Sequence, residues 1–200
     1  MYHRSVRLIL ASASPRRAEL LRSAGFAFDV VPVNVDETPL AGEQPGACVV
    51  RLASAKARAV ACRNPGTAVI GADTVVVVDG HLLGKPRDDA DAANMLRMLS
   101  GRTHEVWTGV TICRDGQEAS DAVVTRVHFL QMTTDEILWY VGSGEPRDKA
   151  GAYGVQGLAS RFIDHLEGSY SNVVGLPIAT VYRLLNQVGV EDARWSSPRR

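Results

Sequence analysis

The chain has no excess charge of either sign, no closely spaced cysteine pair and no apolar run that could cross a membrane. Lys and Arg together number 22, as do Asp and Glu. Proteins that bind nucleic acids or anionic membranes usually carry an excess of basic residues. The three cysteines form no Cys-x-x-Cys pair, which argues against a disulfide framework or a zinc site. The most apolar stretch, residues 67–78, is short and contains Asp73, and no signal-peptide core is recognisable near the N-terminus. We therefore expect a soluble cytoplasmic protein that binds neither nucleic acid nor membranes.

Segments typical of strands alternate with segments typical of helices, which indicates an α/β protein. Two hundred residues are enough for one domain with a substantial core. We expect this domain at residues 1–190, followed by a polar, disordered tail at 191–200. Loops are predicted at 34–44 and 143–157, strands at 6–11, 26–33, 68–78, 81–83, 104–113, 122–130 and 158–166, and helices at 15–24, 45–63, 88–100, 133–141 and 177–188.

Two arginines occupy the first turn of the first predicted helix. Ser14 is a suitable N-cap and Pro15 a suitable first residue, so Arg16 and Arg17 follow at the positive end of the helix dipole. A cation there costs roughly 0.3–1 kcal/mol. An anion bound to the free N–H groups would reverse this penalty, because the arginines would then donate to it as well. The pattern favours a phosphate site near residues 12–17, and a solvent-exposed basic helix start is the alternative.

Two charged residues interrupt apolar surfaces. Asp73 lies inside an apolar strand, where a buried carboxylate needs a cation, a metal or hydrogen-bond donors; backbone amides at the strand start could also satisfy it. Lys56 falls on the apolar face of its helix, where it either serves a site or extends to solvent from the edge. Arg51 and Arg58 point away from that face and are predicted to be surface charges.

A hairpin and a loop supply two further candidates. The Asp79-Gly80 turn pairs Val78 with His81, so Lys85 reaches the Asp73 face only if the strand bulges or the ladder ends before it. Glu37 alone would be a solvated loop charge, but with Asp73 it offers the oxygen ligands that Mg²⁺ prefers. These cations and carboxylates together suit a triphosphate with its metal ion.

The chain resembles the Maf family of nucleoside triphosphate pyrophosphatases. The resemblance rests on an ordered series of segments between about residues 6 and 189: Ser12-Ala-Ser-Pro-Arg-Arg17, Arg51-Leu-Ala-Ser-Ala-Lys56, Gly71-Ala-Asp-Thr74, Gly84-Lys-Pro86, Leu99-Ser-Gly-Arg-Thr-His104, Asp148-Lys-Ala-Gly-Ala-Tyr-Gly-Val-Gln-Gly157 and Gly168-Ser-Tyr-Ser-Asn-Val-Val-Gly-Leu-Pro177. It implies a mixed central sheet flanked by helices, like that of the inosine triphosphate pyrophosphatases, with two lobes around a cleft. It also implies hydrolysis of a nucleoside triphosphate to the monophosphate and pyrophosphate with a divalent cation, Mg²⁺ or Mn²⁺. Relatives are commonly dimers, so a homodimer is a further expectation.

The resemblance also implies roles for individual residues. Asp73 would be the catalytic carboxylate, as proton acceptor or as metal ligand with Glu37, and Lys85 would complete the catalytic set. Three positions tied to base choice are Arg16, Thr74 and Gln156, a combination that resembles the branch acting on dTTP and UTP. The substrate-binding set comprises Ser12, Ser14, Arg16, Arg17, Lys56, Thr74 and Gln156. A nucleotide-binding regulator of cell division and septum formation with little turnover, and a nucleotidyl or sugar transferase, are the competing functions.

Overall fold

The computed structural model describes residues 6–190, in which strands and helices alternate as the sequence pattern predicts. The strands are β1 (Leu8–Ala11), β2 (Asp29–Val30), β3 (Ala68–Val78), β4 (His81–Leu83), β5 (Thr103–Arg114), β6 (Gln117–Phe129) and β7 (Ile163–Glu167). The α-helices are α1 (Pro15–Ser23), α2 (Pro45–Ala61), α3 (Asp89–Leu99), α4 (Thr134–Gly142), α5 (Tyr170–Val174) and α6 (Ile178–Gln187). Short 3₁₀ turns cover Glu145–Asp148, Ala150–Ala152 and Leu158–Phe162.

The strands form a mixed sheet, which confirms the predicted fold class. Their order is β2-β1-β3-β5-β6-β7, and β4 pairs with β3. Strand β1 runs parallel to β2 and β3, whereas β3–β4 and β6–β7 are antiparallel pairs. The β3 run is apolar almost throughout and largely buried, as expected of a strand covered on both faces.

The described chain divides into two compact units. The first unit comprises the described residues 6–73, 108–123 and 175–190, and the second comprises 74–107 and 124–174. The first unit has a core of apolar side chains from β1, α1, β3, β5 and α6. The second has its own core, to which α3, α4 and the buried aromatics Phe129, Tyr140, Tyr153 and Phe162 contribute. The predicted single domain over 1–190 and the cleft stay predictions.

Several element boundaries differ from the sequence-based expectation. Only Asp29–Val30 of the predicted strand 26–33 is paired, and both residues are exposed. The predicted strand 158–166 begins instead as a 3₁₀ turn, because Ala159 and Phe162, three residues apart, bury on the same side. Helix α5 was not predicted, and the predicted tail 191–200 lies outside the described residues.

Two predicted absences concern cysteines and membrane helices. Cys48, Cys62 and Cys113 are all free thiols. Within residues 6–190, every helix is too short or too polar to cross a bilayer.

Candidate functional site

The start of α1 is organised by Ser12. Ser14 is the N-cap, with an extended backbone, and Pro15 opens the helix, as predicted. The Ser14 hydroxyl makes no capping hydrogen bond, however. The backbone N–H of Ser14 donates instead to Oγ of Ser12 at 3.2 Å, and Nη1 of Arg17 donates to the same oxygen at 3.2 Å. The buried Ser12 hydroxyl therefore fixes both the turn and the second arginine.

Arg17 is buried and hydrogen-bonded to the backbone of its own unit. Its Nε donates to the carbonyl of Gly175 and its Nη1 to the carbonyl of Ala72, both at 2.8 Å. Burial lowers the pKa of Arg17, and the negative charges of Asp73 and Glu37 oppose this effect. The guanidinium thus ties α1 to β3 one residue before Asp73 and to the segment preceding α6. This positioning role was missed by the sequence analysis, and a contact of Arg17 with phosphate stays a prediction.

Lys56 on α2 joins the two carboxylates that the sequence singled out. Its Nζ donates to Oδ1 of Asp73 at 2.6 Å and to Oε1 of Glu37 at 2.5 Å. Only 8% of the Lys56 side chain and 11% of the Asp73 side chain are exposed, against 47% for Glu37. Desolvating an ammonium group this far needs compensation, which the two carboxylates supply. Lys56 therefore does not extend to solvent, and Asp73 is paired with a cation.

The same pair of carboxylates fits a hard divalent ion. Asp73 lies on a buried strand, Glu37 lies in a loop, and one oxygen of each is bound to the same ammonium nitrogen. Carboxylate oxygens on neighbouring positions are the ligands that Mg²⁺ and Mn²⁺ take in proteins. The residues present thus suit the implied metal, whose ligands would be Asp73 and Glu37.

Two glycines allow α2 to approach the sheet of the first unit closely. A Cβ on Gly71 of β3 would lie 2.2 Å from the carbonyl oxygen of Ala53, and a Cβ on Gly109 of β5 would lie 2.3 Å from that of Val49. A side chain at either position would therefore collide with the helix backbone. The close approach brings Lys56 within reach of Asp73, two residues after Gly71.

The loop that carries Glu37, residues 34–44, is anchored to α2 by Arg51. Nε and Nη2 of Arg51 donate to the two carboxylate oxygens of Glu43, each at 2.7 Å, and Nη2 also donates to the carbonyl of Thr38 at 3.2 Å. The hydrogen bonds from Arg51 lower the pKa of Glu43 to about 2. The prediction that Arg51 is an ordinary surface charge is wrong, because its planar guanidinium binds Glu43 at two points. Arg58 is largely exposed and pairs with Glu118.

In the second unit, the hairpin predicted around Asp79-Gly80 has the expected register. Val78 pairs with His81, and the last pair of the ladder is Val76 with Leu83. Lys85 lies beyond the end of the ladder. This was one of the two conditions under which its side chain could reach the Asp73 face of the hairpin. Lys85 is exposed, and Thr74 follows Asp73 on β3 with a half-buried side chain. Successive strand side chains point to opposite faces, so Thr74 and Asp73 face different sides of β3.

In the second unit, Glu145 supports the Gln156 loop by hydrogen bonds. Oε2 of Glu145 accepts the backbone N–H of Leu158 at 2.9 Å, and Oε1 accepts the hydroxyl of Tyr140 at 2.8 Å. A Cβ on Gly157 would lie 2.3 Å from Oε2 of Glu145, so a side chain at this position would displace the Glu145 carboxylate. Gln156 itself is exposed. The sequence analysis missed this contact and predicted only a loop at 143–157.

The structure thus brings together part of the predicted site. Ser12 and Arg17 are hydrogen-bonded to each other, and Lys56 joins Asp73 and Glu37. Ser14 and Arg16 lie at the start of α1, both half-buried. Lys85, Thr74 and Gln156 belong to the second unit, and their roles stay predictions. Arg51, Glu43 and Glu145 are the supporting residues that the sequence analysis did not identify.

Comparison with known proteins places this chain in a family. The model of the Maf-like protein family matches residues 7–188. A protein of Koribacter versatilis named dTTP/UTP pyrophosphatase is 55% identical, over 94% of this chain and 98% of its own length. Proteins of the same name from Symbiobacterium thermophilum and Anaeromyxobacter dehalogenans are 52% and 51% identical, over 91% and 96% of this chain and 94% and 98% of their own. Among solved structures, the Staphylococcus aureus Ham1 protein aligns over 91% of this chain and 99% of its own, with 14% identity and a TM-score of 0.49.

Proposed function

Because the chain belongs to the Maf-like protein family, we propose that it hydrolyses dTTP and UTP to the monophosphate and pyrophosphate. The observation that carries this proposal is the set of relatives named dTTP/UTP pyrophosphatase, which are 51–55% identical over nearly the whole chain. The Lys56–Asp73–Glu37 arrangement supports it, because a hydrolase of triphosphates needs positioned carboxylates. Modified pyrimidine triphosphates are further candidate substrates.

Asp73 is our candidate for the proton acceptor. In hydrolysis at the α-phosphorus, a water oxygen bonds to phosphorus, the bond to the bridging oxygen of pyrophosphate breaks, and the water loses a proton. A carboxylate on a rigid, buried strand is a suitable acceptor, because its position changes little during the reaction. Lys56 fixes its Oδ1, and the Arg17 bond to Ala72 fixes the preceding peptide.

Asp73 and Glu37 would also hold the divalent ion. When bound, such an ion neutralises phosphate charge and lowers the pKa of a bound water. Without a bound metal ion, Lys56 keeps the two carboxylates together, so the ligands are positioned before the substrate binds. Asp73 therefore has two candidate roles, acceptor and ligand, as the sequence analysis stated.

The remaining candidates would bind the phosphates and the base. Arg17, Lys56 and Lys85 are the cations proposed for the phosphate chain, where the charge of pyrophosphate increases in the transition state. Gln156 is proposed to recognise the base, because its amide offers a donor and an acceptor side by side, matching N3–H and O4 of thymine or uracil. The support from Glu145 gives the Gln156 loop a fixed backbone for this purpose.

The test is pyrophosphate release from dTTP, UTP, CTP and GTP, with and without Mg²⁺. We expect Asp73→Asn to lower kcat by roughly 10²–10⁴-fold, as loss of general base catalysis does, with an unchanged circular dichroism spectrum. Asp135→Asn, an exposed carboxylate in the first turn of α4, is the matched control and should turn over normally. Normal turnover by Asp73→Asn would remove Asp73 from the mechanism. Nucleotide binding by the wild type without any pyrophosphate release would favour the regulator instead.

Base recognition needs a separate measurement. Gln156→Ala should reduce kcat/KM for dTTP and UTP more than for GTP, and an unaltered substrate ranking would exclude Gln156 as the reader of the base. A cytoplasmic location, expected from the cysteine content and the apolar pattern of the sequence, and a homodimer, implied by the resemblance, are part of the same proposal.

A further inference from the structure

Two histidines and a glutamate meet on one face of the β6–β7 strand pair in the second unit. His128 of β6 pairs directly with His165 of β7, and Arg126 pairs with Glu167. Directly opposed residues of an antiparallel pair project to the same face, and so do residues two apart on one strand. We propose that His128, His165 and Glu167 form a binding site for a divalent transition-metal ion such as Zn²⁺. The proposal is independent of the proposed hydrolase function.

The distances between the three side chains suit such an ion. Nε2 of His128 lies 3.2 Å and Nε2 of His165 lies 3.8 Å from Oε1 of Glu167. One potential ligand atom from each residue lies within 4.8 Å of the others. Ligands about 2.0–2.1 Å from a tetrahedral ion are roughly 3.3 Å apart. The two histidine–glutamate separations bracket this value and the two histidine nitrogens lie within 4.8 Å of each other, so the side chains must converge to hold an ion.

The other nitrogen of each ring is already engaged. Nδ1 of His165 lies 2.8 Å from Oδ2 of Asp164, and Nδ1 of His128 lies 2.7 Å from Oγ1 of Thr103. Metal-binding histidines commonly donate their second ring N–H to an oxygen in this way, which orients the ring and leaves the opposite nitrogen for the metal. The arrangement therefore presents both Nε2 atoms as ligands and supplies the oxygens that support them.

The Nε2 atom of His128, which has no hydrogen-bond partner among the described residues, also supports a metal ion as the ligand. Nε2 of His128 is buried and has no hydrogen-bond partner within residues 6–190, although Oε1 of Glu167 is 3.2 Å away. The imidazole rings of His128 and His165 stack with centroids 3.7 Å apart and planes 13° apart. Binding would require the rings to tilt until both lone pairs meet at the ion, and the half-exposed His165 has room for this movement.

The surrounding charges favour a cation. Glu167, Asp164 and Glu105 are negative, and Arg126, within 3.8 Å of both Glu167 and Glu105, is the cation nearest to them among the ion pairs of this face. Two imidazoles and one carboxylate select Zn²⁺, Ni²⁺, Co²⁺ or Cu²⁺ over Mg²⁺ or Ca²⁺, which prefer ligands that are all oxygen. The bound ion would link the last two strands of the sheet order, β6 and β7.

The test is calorimetric titration of tag-free, reduced protein with ZnCl₂ in saturating MgCl₂, which occupies sites made only of carboxylates. We expect one equivalent to bind to the wild type, and His165→Gln and His128→Gln to weaken the binding by more than about tenfold, since loss of a supporting residue alone costs about 10–100-fold. Zinc at 100 times its Kd should also raise the wild-type Tm by roughly 5–10 °C. Turnover of dTTP by His165→Gln should equal that of the wild type.

Two controls identify the ligands. His81→Gln removes an exposed histidine of β4, and Cys62→Ser removes the exposed thiol; both should bind zinc as the wild type does. The proposal is overturned if the wild type binds no zinc, if both histidine variants bind it normally, or if the binding disappears in Cys62→Ser.

Discussion

A methyl group at Gly71 tests whether the close packing of α2 on β3 organises the site. The Cβ of Gly71→Ala would lie 2.2 Å from the Ala53 carbonyl oxygen and 2.7 Å from the Ala57 nitrogen. Both are helix backbone atoms that cannot rotate away, so α2 and β3 must separate locally by about 1 Å to reach an ordinary contact. Overpacking of this kind costs typically 1–3 kcal/mol, and each kcal/mol lowers the Tm of a chain this size by about 2–4 °C. The 2.6 Å bond from Lys56 to Asp73 spans the same interface and would lengthen or break.

The expected result is a less stable enzyme with a disproportionate loss of activity. A misplacement of about 1 Å at a reacting group can cost 10²-fold in rate, so kcat for dTTP should fall by about that factor at a temperature where the variant is fully folded. Urea unfolding followed by circular dichroism measures the stability, and pyrophosphate release measures the rate. Gly142→Ala, where a Cβ meets open space at the end of α4, is the matched control and should lower neither quantity. Full activity and wild-type stability of Gly71→Ala would refute the argument.

Two further predictions concern buried polarity and the Glu37 loop. Burial lowers the pKa of His104 to about 3, below the value near 6.5 that it has in the unfolded chain. As the pH falls from 6.5 towards 3, the unfolded state therefore takes up the proton first and the folded state loses stability. Urea unfolding at pH 7 and pH 5 should show a loss of stability that is about 2 kcal/mol larger in the wild type than in His104→Gln. Arg51→Lys keeps the positive charge but loses the pair of hydrogen bonds to Glu43. We expect kcat to fall about tenfold and the amide hydrogens of residues 34–44 to exchange faster. Unchanged hydrogen exchange in this loop would contradict the anchoring role of Arg51.

Local pattern was sufficient to locate the charged centre of the first unit. Lys56 stood out because it occupies an apolar helix face, and Asp73 because it interrupts an apolar strand; each needed a partner, and each is the partner of the other. The two-residue turn also gave the correct pairing of Val78 with His81, since the turn type fixes the register of a hairpin. These predictions depend on the 3.6-residue period of an α-helix and the two-residue period of a β-strand, both of which can be read directly from a sequence.

Interactions between distant segments were not accessible in the same way. The bond from Arg17 to the carbonyl of Gly175 joins residues far apart in the chain, and a backbone acceptor leaves no trace in side-chain composition. Arg51 was misjudged because its helical position faces outward, while the loop that covers it has no periodic signal. The predicted strand 26–33 is mostly unpaired because Phe26 and Phe28 pack against the core of the first unit without forming a ladder.

The arrangement around Asp73 explains why buried cations are retained in the first unit. Arg17 and Lys56 are both buried, and desolvation of each is unfavourable unless fixed acceptors compensate for it. The acceptors here are two backbone carbonyls and the Ser12 hydroxyl for Arg17, and two carboxylates for Lys56. Apolar residues of similar size would fill the same volume without this cost, so stability alone does not account for the charges. What the cations add is a fixed position for Asp73 and Glu37 before any ligand binds, and electrostatic catalysis depends on that kind of preorganisation.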